Sequence, residues 1–513
     1  MPKWHTPHPQ INEFMKTRIF TTAAVALTAL LALAGNDMGI GDTAEKCLAN
    51  LEQGKRPMFF KSYSKASAAD EPEEFVYRDV TLTKGGELAS VLGDDALTID
   101  SLVVRGPVNS EDFNTMRMAS LTGKLSVINL QYADIENKKV PENAFFDFDD
   151  QFDGEGAVYI MRLQRIILPE DITEIGDYAF EYAVNLKTIN FPQALKRIGD
   201  YSFYTCTALT AEKIVFPEGM ETIGKSCFEA CKGMRGEIVL PSTIRELGDA
   251  SFRQCWAYKM NFPASLEEIG FMAFAGSRLE EVYFEGPSHL VFDPVGCQFY
   301  ANYELKKIRL PEGLTTIPTA FLQSCIYVES VELPSTLETI ESDAFDQCFG
   351  LKTLELPEGL RRIESGGLAS CRSLTHLVLP STMEYLAVNS CEGLSSLKWI
   401  YSAALVPPTC YFEDQASGFP KTAFGTPFES STPMGITVYV PRGTYDLYYK
   451  SIGWRYFNTF VETDDVPSTA ITNVTTSPQN GGNGTIYDLM GRKVAHPIKG
   501  SLYIKGGKKY IHR

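Results

Sequence analysis

Apolar residues return along this chain with a period near 23, and in a fixed order inside each period. The stretch 356–379 shows one cycle. Leu356-Pro357 opens it, Leu360 and Ile363 follow, then Cys371, Leu374, Leu377 and Leu379 before Pro380 begins the next. The prolines of the series are Pro169, Pro192, Pro217, Pro241, Pro263, Pro311, Pro334, Pro357 and Pro380, at spacings of 23, 25, 24, 22, 48, 23, 23 and 23. The 48 holds two units, with a hidden copy at 282–287, so the array counts ten coils. An aromatic follows seven of these nine prolines by about 11 positions (Phe180, Phe203, Phe228, Phe252, Phe274, Phe321, Phe345). Cys follows by 14 at Cys206, Cys231, Cys255, Cys325, Cys348 and Cys371.

A fixed period of this length is the mark of a repeat solenoid. Each cycle predicts a short strand whose side chains alternate, Leu354 and Leu356 inward and Glu355 outward. Pro357 lacks an N–H and ends the ladder there. Ile363 and residues such as Phe345 fill the interior from the return path. Parallel strands of successive coils pair about 4.8 Å apart, so ten coils span roughly 50 Å. One coil cannot bury its apolar side alone, and stability comes from stacking.

The ends of the chain break the period. Met15-Lys16-Thr17-Arg18, an apolar run over 19–33 and the Ala32-Leu33-Ala34 step read as a secretory signal peptide over 1–34, with translation starting at Met1 or Met15. Residues 35–74 read as a linker. Residues 75–160 read as an N-terminal cap with an acidic insertion, because terminal coils must cover an open core end. In that insertion Asp149, Gln151, Asp153 and Gly154 resemble the start of a calcium loop, but Ile160 stands where the bidentate Glu belongs, so a solvated acidic loop is the reading. The repeats proper occupy 161–400, a C-terminal cap 401–465 and a Pro/Thr/Ser/Gly/Asn-rich linker 466–484. Residues 485–513 alternate as two or three strands with glycine turns.

Composition changes this picture in two places. The net charge of −17 lacks the basic footprint of a nucleic-acid binder. The tail from Thr485 onward carries seven Lys/Arg against Asp488, a net +6, which marks it as a separate piece. No apolar run is long enough for a transmembrane segment. Eleven cysteines in an exported chain suggest disulfides, but their fixed place in the coil points to buried free thiols acting as small hydrophobes. Cys227 and Cys231 have a metal-like spacing without a second ligand pair. His289, His376, His496 and His512 stand in no catalytic motif, and no phosphate loop or nucleophile elbow occurs, so no catalytic residue, metal or cofactor is expected.

The recurring Cys348-x-x-Leu351-x-x-Leu354-x-Leu356-Pro357, with Ile363 and an earlier Ala344-Phe345, resembles the BspA-type leucine-rich repeat proteins over roughly 98–400. Gly367-Leu368 departs from the Ala-Phe pair. The fold expected is an α/β-type leucine-rich repeat solenoid with short parallel strands. It has about ten coils of 22–26 residues, caps at both ends and a small C-terminal β tail. The tail resembles the sorting tail of Bacteroidetes surface proteins. The resemblance implies a secreted or cell-surface monomer that adheres to an extracellular protein or glycan. A structural scaffold or stalk is the alternative, and a hydrolase a more distant one. With the repeating positions committed to the core, the outward strand residues are left for binding. Tyr283, Lys307, Arg309, His376, Trp399 and Tyr401 are the candidate anchors, since aromatic residues and Arg dominate binding hot spots.

Overall fold

A computed structural model describes residues 59–61, 75–146, 157–286, 289–413, 420–425, 435–466, 486–487, 502–505 and 508–511. The signal-peptide segment and the calcium-like run at 149–154 lie outside the described residues. The chain divides into two compact units, Met1–Asp464 and Asp465–Arg513.

In the first unit the coils contribute one short strand each to the same side, the coil at 354–356 excepted. The strands are parallel and in register. Lys213, Ile214 and Val215 pair with Glu237, Ile238 and Val239 of the next coil. Alternation then does what the pattern predicts: Ile214 and Ile238 are buried, while Lys213 and Val215 are exposed. This side carries fifteen strands in sheets of five, six and four. The ten coils counted from the prolines are therefore too few. Tyr77–Thr81, Ser101–Val108 and Val127–Ile135 extend the ladder before the array, and Thr437–Val440 and Thr459–Glu462 extend it afterwards. Ladder pairing needs only the alternation, and the proline that marks a repeat is not required. The reference stretch 354–356 is itself outside the ladder, although Leu354 is buried.

The α part of the expected α/β character is confined to the ends. Leu88–Leu92, Ser110–Leu121 and Tyr445–Lys450 are the α-helices among the described residues. Inside the array the second side of each coil is a two-residue strand, such as Arg197–Ile198 or Thr222–Ile223. These form one sheet of seven strands and one of four. The break has a chemical cause. The residue after each such strand donates its N–H one coil back: Gly199 to Ile175, Gly224 to Ile198 and Asp293 to Ile269. Pro318 holds this place after Thr316–Ile317 and has no N–H to give. A cleft of about 960 Å³ opens there, lined by Val291, Phe292, Leu314 and Pro318 among others.

The third side holds the buried phenylalanines. Phe145, Phe180, Phe203, Phe228, Phe252, Phe274 and Phe299 stack ring on ring, with neighbouring centroids 5.2–5.8 Å apart. Residues two before and two after the phenylalanine are left-handed; Gly276 after Phe274 is a glycine, but most are not, as at Tyr201 and Thr205 around Phe203. Their N–H groups and that of Phe203 donate to the next coil, at Lys225, Glu229 and Cys227. The cysteines face the same stack. Cys206 Sγ donates to the Phe180 carbonyl at 3.2 Å, Cys231 to Phe203 at 3.1 Å and Cys371 to Phe345 at 3.2 Å. Burial pushes Cys255 and Cys325 up to about 12, so these thiols stay protonated. The ten cysteines among the described residues are free.

Both ends of the core are closed by dedicated contacts. The Asp112 carboxylate is buried and accepts from the N–H groups of Gly86, Leu88 and Asn109, which ties the helix Ser110–Leu121 to the first coils. At the other end the Tyr448 hydroxyl meets Ser402 Oγ and donates to the Ala404 carbonyl, each at 2.7 Å. Trp454 Nε1 donates to the Pro408 carbonyl at 2.8 Å. The second unit has three antiparallel strands, Ile486–Tyr487, Leu502–Lys505 and Lys508–Ile511.

Coils approach closely beside the two-residue strands. A Cβ on Gly224 would stand 2.6 Å from the Asp200 backbone nitrogen, and backbone cannot swing aside as a side chain can. Gly224→Ala is expected to destabilise the protein by about 1–3 kcal/mol through overpacking. Thermal unfolding should read this as a lowered Tm; an unchanged Tm would show that adjacent coils can part at this column.

Candidate functional site

Two outward positions per strand form columns along the first side. The first column runs Lys213, Glu237, Lys259, Glu281, Lys307 through residues paired in register. Glu237 bridges Lys213 at 3.4 Å and Lys259 at 2.8 Å, and Lys307 meets Glu281 at 3.1 Å. Hydrogen bonding to Lys259 holds the Glu237 carboxyl below its ordinary range, and Lys307 does the same to Glu281. Exposed pairs of this kind contribute little to stability. Their effect is to neutralise the face locally.

In the second column Asn190 and Asn261 turn back onto the ladder. Asn190 accepts from the Leu168 N–H at 2.8 Å and donates to its carbonyl at 3.0 Å. Asn261 treats Leu240 the same way. One coil beyond Asn261, Tyr283 stands 37% exposed, with the Arg309 guanidinium 5.6 Å from its ring centroid. Lys307 and Arg309 are exposed as well. The structure thus brings three of the six predicted residues, Tyr283, Lys307 and Arg309, together on two adjacent coils.

The other three lie several coils away, and the expectation of free anchors fails for two of them. Trp399 is 9% exposed and Tyr401 6%. The strand alternation does point them outward, but the ladder packs them there. Trp399 lies flat on His376, centroids 4.9 Å apart and planes 17° apart, and meets Tyr439 edge-on at 6.1 Å. Tyr401 sits in register between Val378 and Tyr439. His376 is half-buried, its Nδ1 is 3.0 Å from Thr375 Oγ1, and burial lowers its pKa. These three form an aromatic seal near the C-terminal cap.

Beside the strand face, and outside the columns considered from sequence, Trp256 lies among Lys232, Arg235 and Arg278. The signal was present in the residue after each buried Cys, a position that strand alternation does not cover. Among the described residues no group of His, Cys, Asp and Glu could hold a metal ion, and no helix is long and apolar enough to cross a membrane.

Parallel in-register strands on one side, a buried Leu/Ile/Phe/Cys pattern and a tight non-helical return define a leucine-rich repeat solenoid. Residues 154–280 and 295–407 match the BspA type leucine rich repeat region in six copies, and the chain carries a BspA-type repeat array. In structure the chain is similar to a leucine-rich repeat protein from Bacteroides ovatus, at 22% identity and TM-score 0.31, covering 51% of this chain and 82% of that one. It is similar to a leucine rich cell surface protein from Faecalibacterium prausnitzii, at 18% identity and TM-score 0.30, covering 55% and 84%. It is similar too to the pneumococcal vaccine antigen PcpA, at 18% identity and TM-score 0.31, covering 71% and 80%. No curated protein matches the chain.

The two halves of the predicted set should separate by stability. Trp399→Ala removes a buried ring and is expected to cost about 3–5 kcal/mol. Tyr283→Ala, at an exposed position, should stay within about 0.5 kcal/mol of the parent. Denaturant titration of both variants measures the difference, and equal midpoints would contradict the assignment of Trp399 to the seal.

Proposed function

We propose that the chain is an exported, surface-displayed protein that acts as a monomer and binds an extracellular protein or glycan through the strand face around Tyr283, Lys307 and Arg309. The observation that carries this reading is the exposed Tyr283–Arg309 pair on a face whose other charges are largely neutralised within it. Tyr and Arg supply large contact area and directional donors. The ladder holds them at fixed spacing, so little ordering entropy is lost on binding. His376 borders this face from its half-buried place; Trp399 and Tyr401 serve by holding it.

A second reading is favoured by the same charge column. Lys213, Glu237 and Lys259 satisfy one another, as expected of a soluble stalk without a ligand of its own. A panel of immobilised matrix proteins and glycans separates the two. Saturable binding that falls about 30-fold or more in the Tyr283→Ala/Arg309→Ala double variant, the loss of a hot-spot pair of about 2 kcal/mol, supports the face. Binding that is unchanged in the double variant places recognition elsewhere, and no binding at all favours the stalk.

The tail is the third part of the proposal. Its +6 charge and its three short antiparallel strands in a unit of their own support a sorting signal rather than a further coil. Deleting 485–513 is expected to leave the protein inside the cell envelope with its repeats folded. Protease shaving of intact cells measures this, and normal surface display of the truncated chain would refute a sorting role.

A further inference from the structure

The residue that follows the buried Cys, Ser or Asn of each coil forms a column on the flank of the strand face. Four consecutive coils place Lys232, Trp256, Arg278 and Tyr303 there. From Val184 to Arg372 this position carries no acidic residue, in a chain of net charge −17. At Trp256 the column becomes a cluster. The Arg278 guanidinium, from the coil after, lies 3.9 Å from the indole centroid. The Arg235 guanidinium, from the coil before, lies 4.9 Å away, and Lys232 Nζ 5.9 Å. Arg235 and Arg278 are exposed, and Lys232 is half-buried. None of the three cations makes an ion pair among the described residues, unlike the neighbouring Lys213, Lys259 and Lys306.

Stacking engages the face of a guanidinium and leaves the in-plane N–H donors at its edge free. Arg235 spends one, Nε, on the Lys232 carbonyl at 3.4 Å. The indole therefore fixes two guanidinium planes from coils on either side, with their donor edges turned to solvent and an ammonium beside them. Three like charges so close repel unless an anion joins them. We infer that this cluster is a binding site for the sulfate or carboxylate groups of an acidic saccharide chain lying along the solenoid axis.

The saccharide class follows from the neighbours. Tyr303 continues the column one coil beyond Arg278 and is 52% exposed; Tyr327 on the next coil is 60% exposed. The exposed rings of Tyr303 and Tyr327 on these two adjacent coils suit the apolar faces of sugars. An extended acidic peptide would instead seek unpaired backbone. The amides just after the column are already committed coil to coil: Glu280 N–H donates to the Tyr258 carbonyl at 3.0 Å and Lys306 N–H to the Glu280 carbonyl at 2.8 Å. The site is independent of the strand-face reading, since Tyr283 and Arg309 take no part in it.

The test uses the full chain with heparin as the sulfated probe, poly-L-glutamate as the peptide arm and dextran as the neutral arm. The parent is expected to bind heparin saturably, less tightly as salt rises, and to ignore dextran. Arg235→Gln/Arg278→Gln should weaken heparin binding about tenfold or more, at unchanged circular dichroism and Tm. Trp256→Ala should weaken it with all charges kept, and Lys213→Gln on the strand face should leave it unchanged. Three results overturn the proposal: no heparin binding, equal binding by the double variant, or tighter binding to poly-L-glutamate than to heparin. Equal loss in Lys213→Gln also overturns it, since that would reduce the site to bulk charge.

Discussion

From Phe145 to Phe299 the array depends on one phenylalanine ring per coil lying against the ring of the coil before. The stack from Phe145 to Phe299 keeps centroid spacings of 5.2–5.8 Å, close to the pitch that parallel strands need on the opposite side. An offset ring pair is worth about 0.5–1.5 kcal/mol beyond the burial of its surface. To present each ring, the backbone turns through left-handed residues on both sides of it, at non-glycine positions such as Tyr201 and Thr205. Such a residue costs about 1–2 kcal/mol. A fully buried phenylalanine contributes about 1.5–3 kcal/mol, and the turn's N–H groups gain partners in the next coil. The turn is therefore stable only in the stack, and the stack exists only because every coil makes the same turn.

That mutual dependence divides the surface. Where the stack dictates geometry, the residues are not free to vary in size: a Cβ on Gly224 would meet backbone at 2.6 Å, and the Cys206 thiol fills a slot while donating to the Phe180 carbonyl. The thiol is thus more than the small hydrophobe its position suggests, because it gives the Phe180 carbonyl a second donor beside the Ala183 N–H. Asn302 keeps the logic with a different group, donating to Ser277 Oγ at 2.9 Å. Outward strand residues and the flank column escape these demands. Their neighbours are fixed at coil spacing all the same, so a side chain there gains partners from the coils above and below.

The interior was legible because one residue type answers one demand. Leu, Ile and Phe recur where the core needs volume, Pro where the ladder ends, and Cys where a carbonyl takes a second donor. The number of coils was not legible from the prolines, because Val127–Ile135 and Thr437–Val440 join the ladder by alternation alone. Exposure was not legible either. Alternation places Trp399 and Tyr401 outside the sheet, but it is silent about the coil above, and His376 and Tyr439 cover the Trp399 ring from their own coils. Pro318 shows the converse: one residue of the wrong type parts a ladder, and the run of apolar positions around it gives no warning.

Trp399 and Trp256 make the same point from opposite sides. Both stand outside the core in coils of similar length. What decides their role is the residue stacked on each. His376 has a pKa lowered by burial, so an aromatic stack of neutral rings closes over Trp399 and excludes water. Arg278 and Arg235 carry permanent charges that cannot be buried without a partner, so the same flat contact at Trp256 leaves an open, hydrated edge. In a solenoid the chemistry of a surface residue is therefore set one period away in sequence. The residue about 23 positions earlier or later, rather than its chain neighbour, determines whether an aromatic side chain seals the fold or stays available to a ligand.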